Sequence, residues 1–241
     1  MKSKQNLLKL ILLAVLIALG VVISPILRVE GMCPMAHFIN ILCSVLLGPW
    51  YSLVCALLIG VIRMVTMGIP PIALTGAIFG AYFSGLLYRA SKGKLLFAVL
   101  GEVIGTGIIG AIMSYPVMTI FWGKEGLSWL FYVPSFICGT LIGGSIAFAF
   151  LKKLSKSGLL EKMQKKLSSS SYADKSSLSE NALSIVALGA VFFVVIELSV
   201  NIFLLTSPVW KLMSKCAFVV FTLAGIFYYI TKRRREDEEN S

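Results

Sequence analysis

The chain has 241 residues, of which 58% are hydrophobic and only 14% charged, and its mean hydropathy is +0.90. Those values exclude an ordinary water-soluble domain, in which about a quarter of the residues carry charge. The formal charge of +11 does not mark a nucleic-acid binder, because the basic residues flank apolar runs and do not form a stripe interleaved with aromatic rings.

An α-helix rises about 1.5 Å per residue, so about 20 apolar residues cross a hydrocarbon layer of about 30 Å. Eight stretches approach or exceed that length: 7–27, 34–48, 50–67, 71–88, 95–121, 128–151, 182–206 and 210–230. The expected fold class is therefore all-α, a polytopic membrane helical bundle. An even number of spans puts both termini on one side, and Lys and Arg collect on the side that is not translocated. Lys2, Lys4 and Lys9, then Arg89, Lys92 and Lys94, seven lysines in 152–175 and the closing "KRRR" place 17 of the 22 basic residues on one face. This predicts a multi-pass protein of the cell membrane with cytoplasmic N- and C-termini. Ala18 and Gly20 imitate a signal-peptide cleavage site, but cutting there would leave seven spans and split the basic loops between two sides, so the first span is read as uncleaved.

Taken in chain order, span one carries Ala14 and Ala18 four residues apart. In span two, His37, Asn40 and Ser44 share a helix face. Arg63 falls near the outer end of span three. Span four has small residues at four-residue spacing, Gly76, Gly80 and Ser84 beside Ala77, Ala81 and Gly85, a pattern that lets helices approach closely in lipid. Span five opens with "GEVIGTGIIG" (101–110), where helical periodicity places Glu102 on one face with Thr106, Ile109 and Met113. Tyr115 reaches its outer part, and Trp122, Trp129 and Tyr132 gather at the adjoining outer boundary. Such rings serve either as interfacial anchors or as walls of a site. Span six repeats the small-residue spacing with Gly139 and Gly143. The hydrophilic stretch 152–181 reads as a flexible serine-rich tether, within which "LLEKMQKKL" is either a basic helix on the inner leaflet or part of that tether. In span seven Glu197 and Asn201 lie four apart.

Five cysteines, at 33, 43, 55, 138 and 216, show no metal or redox spacing and read as small apolar filler, with only Cys33 in an outer loop. No P-loop, GxSxG or HExxH motif is present, and no catalytic residues, metal or cofactor are expected; the chain does not read as an enzyme. Ionisable groups inside spans are costly and tend to face a bundle interior or cavity. His37, Arg63, Glu102 and Glu197, with Asn40 and Asn201, form that short list. Groups at the outer ends of the spans can enclose a small amphipathic molecule entering from outside. For Glu102 the residues alone leave three roles open: contact with a substrate, pairing with a neighbouring helix, or a protonated structural acid. They also leave open a self-sufficient secondary transporter coupled to protons through Glu102 or Glu197, although no inverted repeat is evident.

The runs "PMAHFINILCSVLLGPWYSLVCALLIGVIRMV" (34–65), "TGAIFGAYFSGLLYR" (75–89) and "GEVIGTGIIGAIMSYP" (101–116) together resemble the ThiW family, substrate-binding S components of energy-coupling factor (ECF) vitamin transporters. The resemblance covers residues 1 to about 152. It implies a six-helix S-component-like membrane domain that captures hydroxyethylthiazole, the thiazole precursor of thiamine. It also implies partners: a coupling transmembrane protein, docked on Ala14 and Ala18, and two cytoplasmic ATPase subunits. His37, Asn40, Arg63, Glu102, Thr106, Tyr115, Trp129 and Tyr132 are the candidate substrate-binding residues. A typical member ends near residue 152. This chain departs from the family by carrying a basic linker over 153–181, two additional transmembrane helices over 182–231 and a charged tail over 232–241.

Overall fold

The computed structural model describes residues 2–26, 28, 32–167, 182, 185, 186, 189, 193 and 208–239. Two compact units are present, Met1–Asp174 and Lys175–Ser241. The first is a helical bundle: α1 (Lys2–Ile23), α2 (Pro34–Leu47), α3 (Pro49–Met67), α4 (Ile72–Ala90), α5 (Leu95–Phe121), α6 (Val133–Lys156) and the short α7 (Leu159–Lys166). Among the described residues, α1, α3, α4, α5 and α6 are long and apolar enough to cross a membrane. The chain is a polytopic membrane helical bundle.

Short connections turn each helix back along the last, so one end of the bundle gathers the lysine-bearing segments and the other gathers Arg63, the start of α2 and the start of α4. Helix α2 is the central post. Its 14 residues reach only about 21 Å, short of a full span. It ends at Gly48, whose φ of +93° is open to glycine and strained for other residues, and Pro49 at once begins α3. All of α2 except Met35 and Phe38 is buried.

The polarity of the bundle is that of a protein in lipid. Leu10, Ile11, Val15, Leu19, Val54, Leu58, Val65, Leu86, Ile104 and Ile146 face outward, whereas Ser44, Ser84, Glu102, Asn40 and Thr140 are each within 1% of complete burial. An apolar exterior around a polar interior is stable where the surroundings are hydrocarbon.

Helices α4 and α5 make the closest approach through a ladder of small residues. A Cβ on Gly101 would sit 2.7 Å from the Cα of Ser84, one on Gly105 2.7 Å from the Cα of Gly80, and one on Gly110 2.9 Å from the Cα of Gly76. Along α4 the rungs are four residues apart, but on α5 the second step is five. Within α5 the segment Val103–Gly110 is π-helical, and its extra residue per turn brings Gly110 rather than Ile109 to the third rung. This corrects the face expected for Glu102. Thr106 stays with it, but Met113 is 43% exposed, because a periodicity of 3.6 does not survive the π segment.

Helix α7 buries Leu160, Gln164 and Leu167, and the Gln164 amide donates to the Val45 carbonyl at 2.9 Å and to the Tyr88 hydroxyl at 3.0 Å. The basic segment therefore packs against the lysine-rich end of the bundle and is not a solvated tether; Lys162, Lys165 and Lys166 remain exposed.

In the second unit, α8 (Pro208–Glu239) contains the expected eighth span and continues through "KRRREDEE". A Cβ on its Gly225 would lie 2.8 Å from Val186 and 3.1 Å from the Ala182 carbonyl. The serine run, most of the expected seventh span, and with it Glu197 and Asn201, lie outside the described residues.

Candidate functional site

Glu102 is fully buried at the centre of the first unit. Its Oε1 accepts from His37 Nδ1 at 2.8 Å and Asn40 Nδ2 at 3.0 Å. The Thr106 hydroxyl lies 3.1 Å from Oε1 and 3.0 Å from the Gly76 carbonyl, one proton serving two acceptors. The second amide proton of Asn40 reaches the Ala77 carbonyl at 3.3 Å. Glu102 Oε1 thus ties α5 to α2, and Thr106 and Asn40 extend the network to the carbonyls of α4. Oε2 has no hydrogen-bond partner among the described residues.

The arrangement follows from spacing. His37 and Asn40, three apart, present both donors from one face of α2; Glu102 and Thr106, four apart, face them from α5; Gly80 on α4 leaves the room. A Cβ on Gly80 would lie 2.7 Å from Glu102 Oε1 and would collide with the Thr106 hydroxyl. On the far side of α2, Gly139 and Gly143 of α6 press on the histidine: a Cβ there would meet His37 Nε2 at 3.3 Å and His37 Cβ at 3.0 Å. The imidazole is held on both sides, with Nδ1 committed to Glu102.

Directly above this hub, toward the Arg63 end, lies a cavity of about 510 Å³ including its open mouth. His37 and Thr106 form its floor; Ala73, Gly76 and Ala77 of α4, Phe136 of α6, and Met32, Cys33 and Ala36 at the start of α2 form its walls. Arg63, Arg28, Ile69 and Ile72 complete the lining. Arg63 is only 3% exposed, and its Nε has no partner among the described residues. Toward the lysine-rich end the interior is filled: Ile41, Cys43, Val45, Leu46, Ala81, Ala98 and Val99 are all at most 2% exposed, and the Ser44 and Ser84 hydroxyls bond to each other at 2.7 Å. Among the described residues the hollow is a cup that opens toward the Arg63 end.

A second space of about 670 Å³ including open solvent adjoins it through Arg28 and Ile72, lined also by Pro70, Met118, Trp122, Lys124 and Tyr132. Tyr132 is almost fully buried there, with rings of Phe131 and Phe136 at 5.1 and 5.9 Å. Tyr115 and Trp129 stack on each other at 4.4 Å but line neither space.

The structure therefore brings His37, Arg63 and Thr106 onto one cavity, with Asn40 and Glu102 behind its floor; it places Tyr132 on the adjoining space and Tyr115 and Trp129 apart. Ala14 and Ala18 are exposed on α1. Sequence reasoning missed Arg28, which stands out in the chain only as a flanking base, and the Gly76–Ala77 pair, which reads as packing when it also makes cavity wall. Phe136 gives no signal beyond its aromatic type.

A one-mouthed cup with a polar floor in a membrane bundle is the geometry of a solute-binding protein. No curated protein and no solved structure matches the chain significantly. The sequence profile of the thiamine-precursor transporter protein (ThiW) family matches residues 10–157, the helices α1 to α6 that build the cup, and the chain belongs to that family.

Proposed function

We propose that the chain is the membrane substrate-binding subunit of an ECF-type transporter, capturing hydroxyethylthiazole from outside the cell for ATP-driven uptake by partner subunits. The observation that carries this reading is the one-ended cup. A channel needs two mouths, and a self-contained pump needs a second access route; here the half below Glu102 is packed solid. Phe136 offers a ring to stack on, and His37 Nε2, facing away from Glu102, offers a hydrogen bond to the ring nitrogen or the hydroxyl.

In this reading the lysine-rich end is cytoplasmic, the Arg63 end faces outside the cell membrane, and residues 1–152 form the binding domain. Exposed Ala14 and Ala18, small side chains on an otherwise bulky apolar face of α1, form the docking face for a coupling transmembrane protein that two cytoplasmic ATPase subunits drive. Tyr115 and Trp129 act as boundary anchors, and residues 153–241 add a linker, further transmembrane helices and a charged tail.

The test is uptake into proteoliposomes. The chain alone should bind thiazole without accumulating it, and accumulation should require ATP and the coupling and ATPase subunits. Ala14→Leu with Ala18→Leu should abolish accumulation but leave binding intact. Uphill accumulation by the chain alone, abolished by a protonophore, would overturn the proposal in favour of a secondary transporter.

A further inference from the structure

We infer that the cup binds an oxyanion, a carboxylate or phosphate monoester carried by the cargo, through Arg63 with Arg28 at the mouth. The inference rests on the thiamine-precursor reading and narrows its substrate class. Arginine remains charged in any protein environment, so its burial must be offset by a counter-charge or by hydrogen bonds. Arg63 is 3% exposed and lines the cavity, its Nε has no partner, and no carboxylate pairs with it among the described residues. In a membrane span such a residue is by default part of a site.

The surroundings reinforce the sign. Arg28 lines the same cavity, and no acidic side chain does among the described residues. Among the described residues the buried carboxylate of Glu102 is already engaged by His37, Asn40 and Thr106 and lies behind the floor. A neutral alcohol would leave Arg63 without a counter-charge among the described residues. An oxyanion matches the planar fork of the guanidinium with two acceptor atoms.

In this arrangement the heteroaromatic ring lies against Phe136 and the floor, and the charged substituent points toward Arg63 and the mouth. A thiazole bearing a phosphate on its hydroxyethyl arm, or a carboxylate on the ring, meets that polarity. Among the thiazole precursors the cup accepts, those bearing an oxyanion are therefore the class it holds most tightly, with hydroxyethylthiazole bound more weakly.

The experiment is calorimetric titration of the full chain in nanodiscs with three probes: hydroxyethylthiazole, its phosphate monoester and a thiazole carboxylate. At least one charged probe should bind about tenfold or more tighter than the alcohol, as expected for a desolvated charge-assisted pair. Arg63→Gln should bring the charged-to-neutral affinity ratio close to one, and Arg63→Lys should leave it intermediate. Equal affinities for all three probes in the wild-type chain, or a preference that survives Arg63→Gln, would overturn the inference while leaving the thiamine-precursor reading in place. Binding of none of the three would overturn both. Should Arg63→Gln fail to fold, the wild-type ratio and the Arg63→Lys ratio decide the matter.

Discussion

Replacing Glu102 by alanine removes the acceptor that joins α5 to α2, and the structure sets the size of the effect. Thr106 keeps the Gly76 carbonyl and one Asn40 amide proton keeps Ala77. The His37 Nδ1 proton and the other Asn40 proton lose their acceptor at buried positions. A buried donor left unsatisfied costs about 1–3 kcal/mol, so the two together cost about 2–6 kcal/mol, against a total stability of about 5–15 kcal/mol for a typical domain. For a chain of this size that is a fall in melting temperature of about 5–20 °C, readable by tryptophan fluorescence on purified protein in detergent. Glu102→Gln keeps a carbonyl oxygen in place of Oε1 and should lose about half as much or less. Because Glu102 lies behind the cavity floor and acts through His37 and Thr106, Gln should also restore most of the thiazole affinity that alanine loses. An alanine variant that melts within a degree or two of the wild type would refute the hub. Equal losses in Gln and Ala would show that charge, not hydrogen bonding, is what the site requires.

Gly80→Ala places a methyl group against the Thr106 hydroxyl and the Glu102 carboxylate, where neither backbone can yield without opening the α4–α5 ladder. It should cost about 1–3 kcal/mol in the same melting assay, and an unchanged melting temperature would mean that the two helices are less closely apposed than the glycine ladder requires. Trp129→Ala removes the ring stacked on Tyr115, but neither ring lines the cavity. Thiazole affinity measured by titration should change less than about twofold, well under the effect of losing a direct aromatic contact, and a loss of tenfold or more would return both residues to the binding site.

The parts of the site that were legible in the sequence are those whose chemistry is rare in lipid. A single carboxylate amid glycines, a histidine and asparagine on one helix face, and an arginine near a helix end each stand out against an apolar background. Their convergence was not legible, because it depends on how α2 sits between α4, α5 and α6. Periodicity failed at one definite place: a helical count puts Ile109 and Met113 beside Glu102, whereas the π segment hands that position to Gly110 and rotates Met113 outward. Backbone hydrogen-bond slippage of this kind leaves no mark on composition beyond the glycines that accommodate it. Gly76 and Ala77 show a second limit. Small residues read the same whether they admit a neighbouring helix or an empty volume, and Gly76 does both. The docking of α7 through Gln164 was hidden because a lone glutamine in a run of lysines looks solvated, while here it is fully buried against Val45 and Tyr88.

The division of the bundle into a hollow half and a packed half constrains how cargo can leave on the far side. Between the floor at His37 and the lysine-rich end stand Ile41, Val45, Leu46, Ala98 and Val99 at interior density, with the Ser44–Ser84 pair and the Gly101–Ser84 contact behind them. Opening a path the width of a thiazole through that layer would strip several of these side chains of their contacts at once, and each large buried aliphatic side chain so exposed forfeits about 1.5–3 kcal/mol of packing and burial. Local breathing does not supply that sum. Either the bundle tilts as a body, so that its single mouth changes sides, or an outside agent pries α2 away from α4 and α5. In the proposed reading partner proteins supply the work that either route demands, whereas a solitary carrier would have to build it into its own helices.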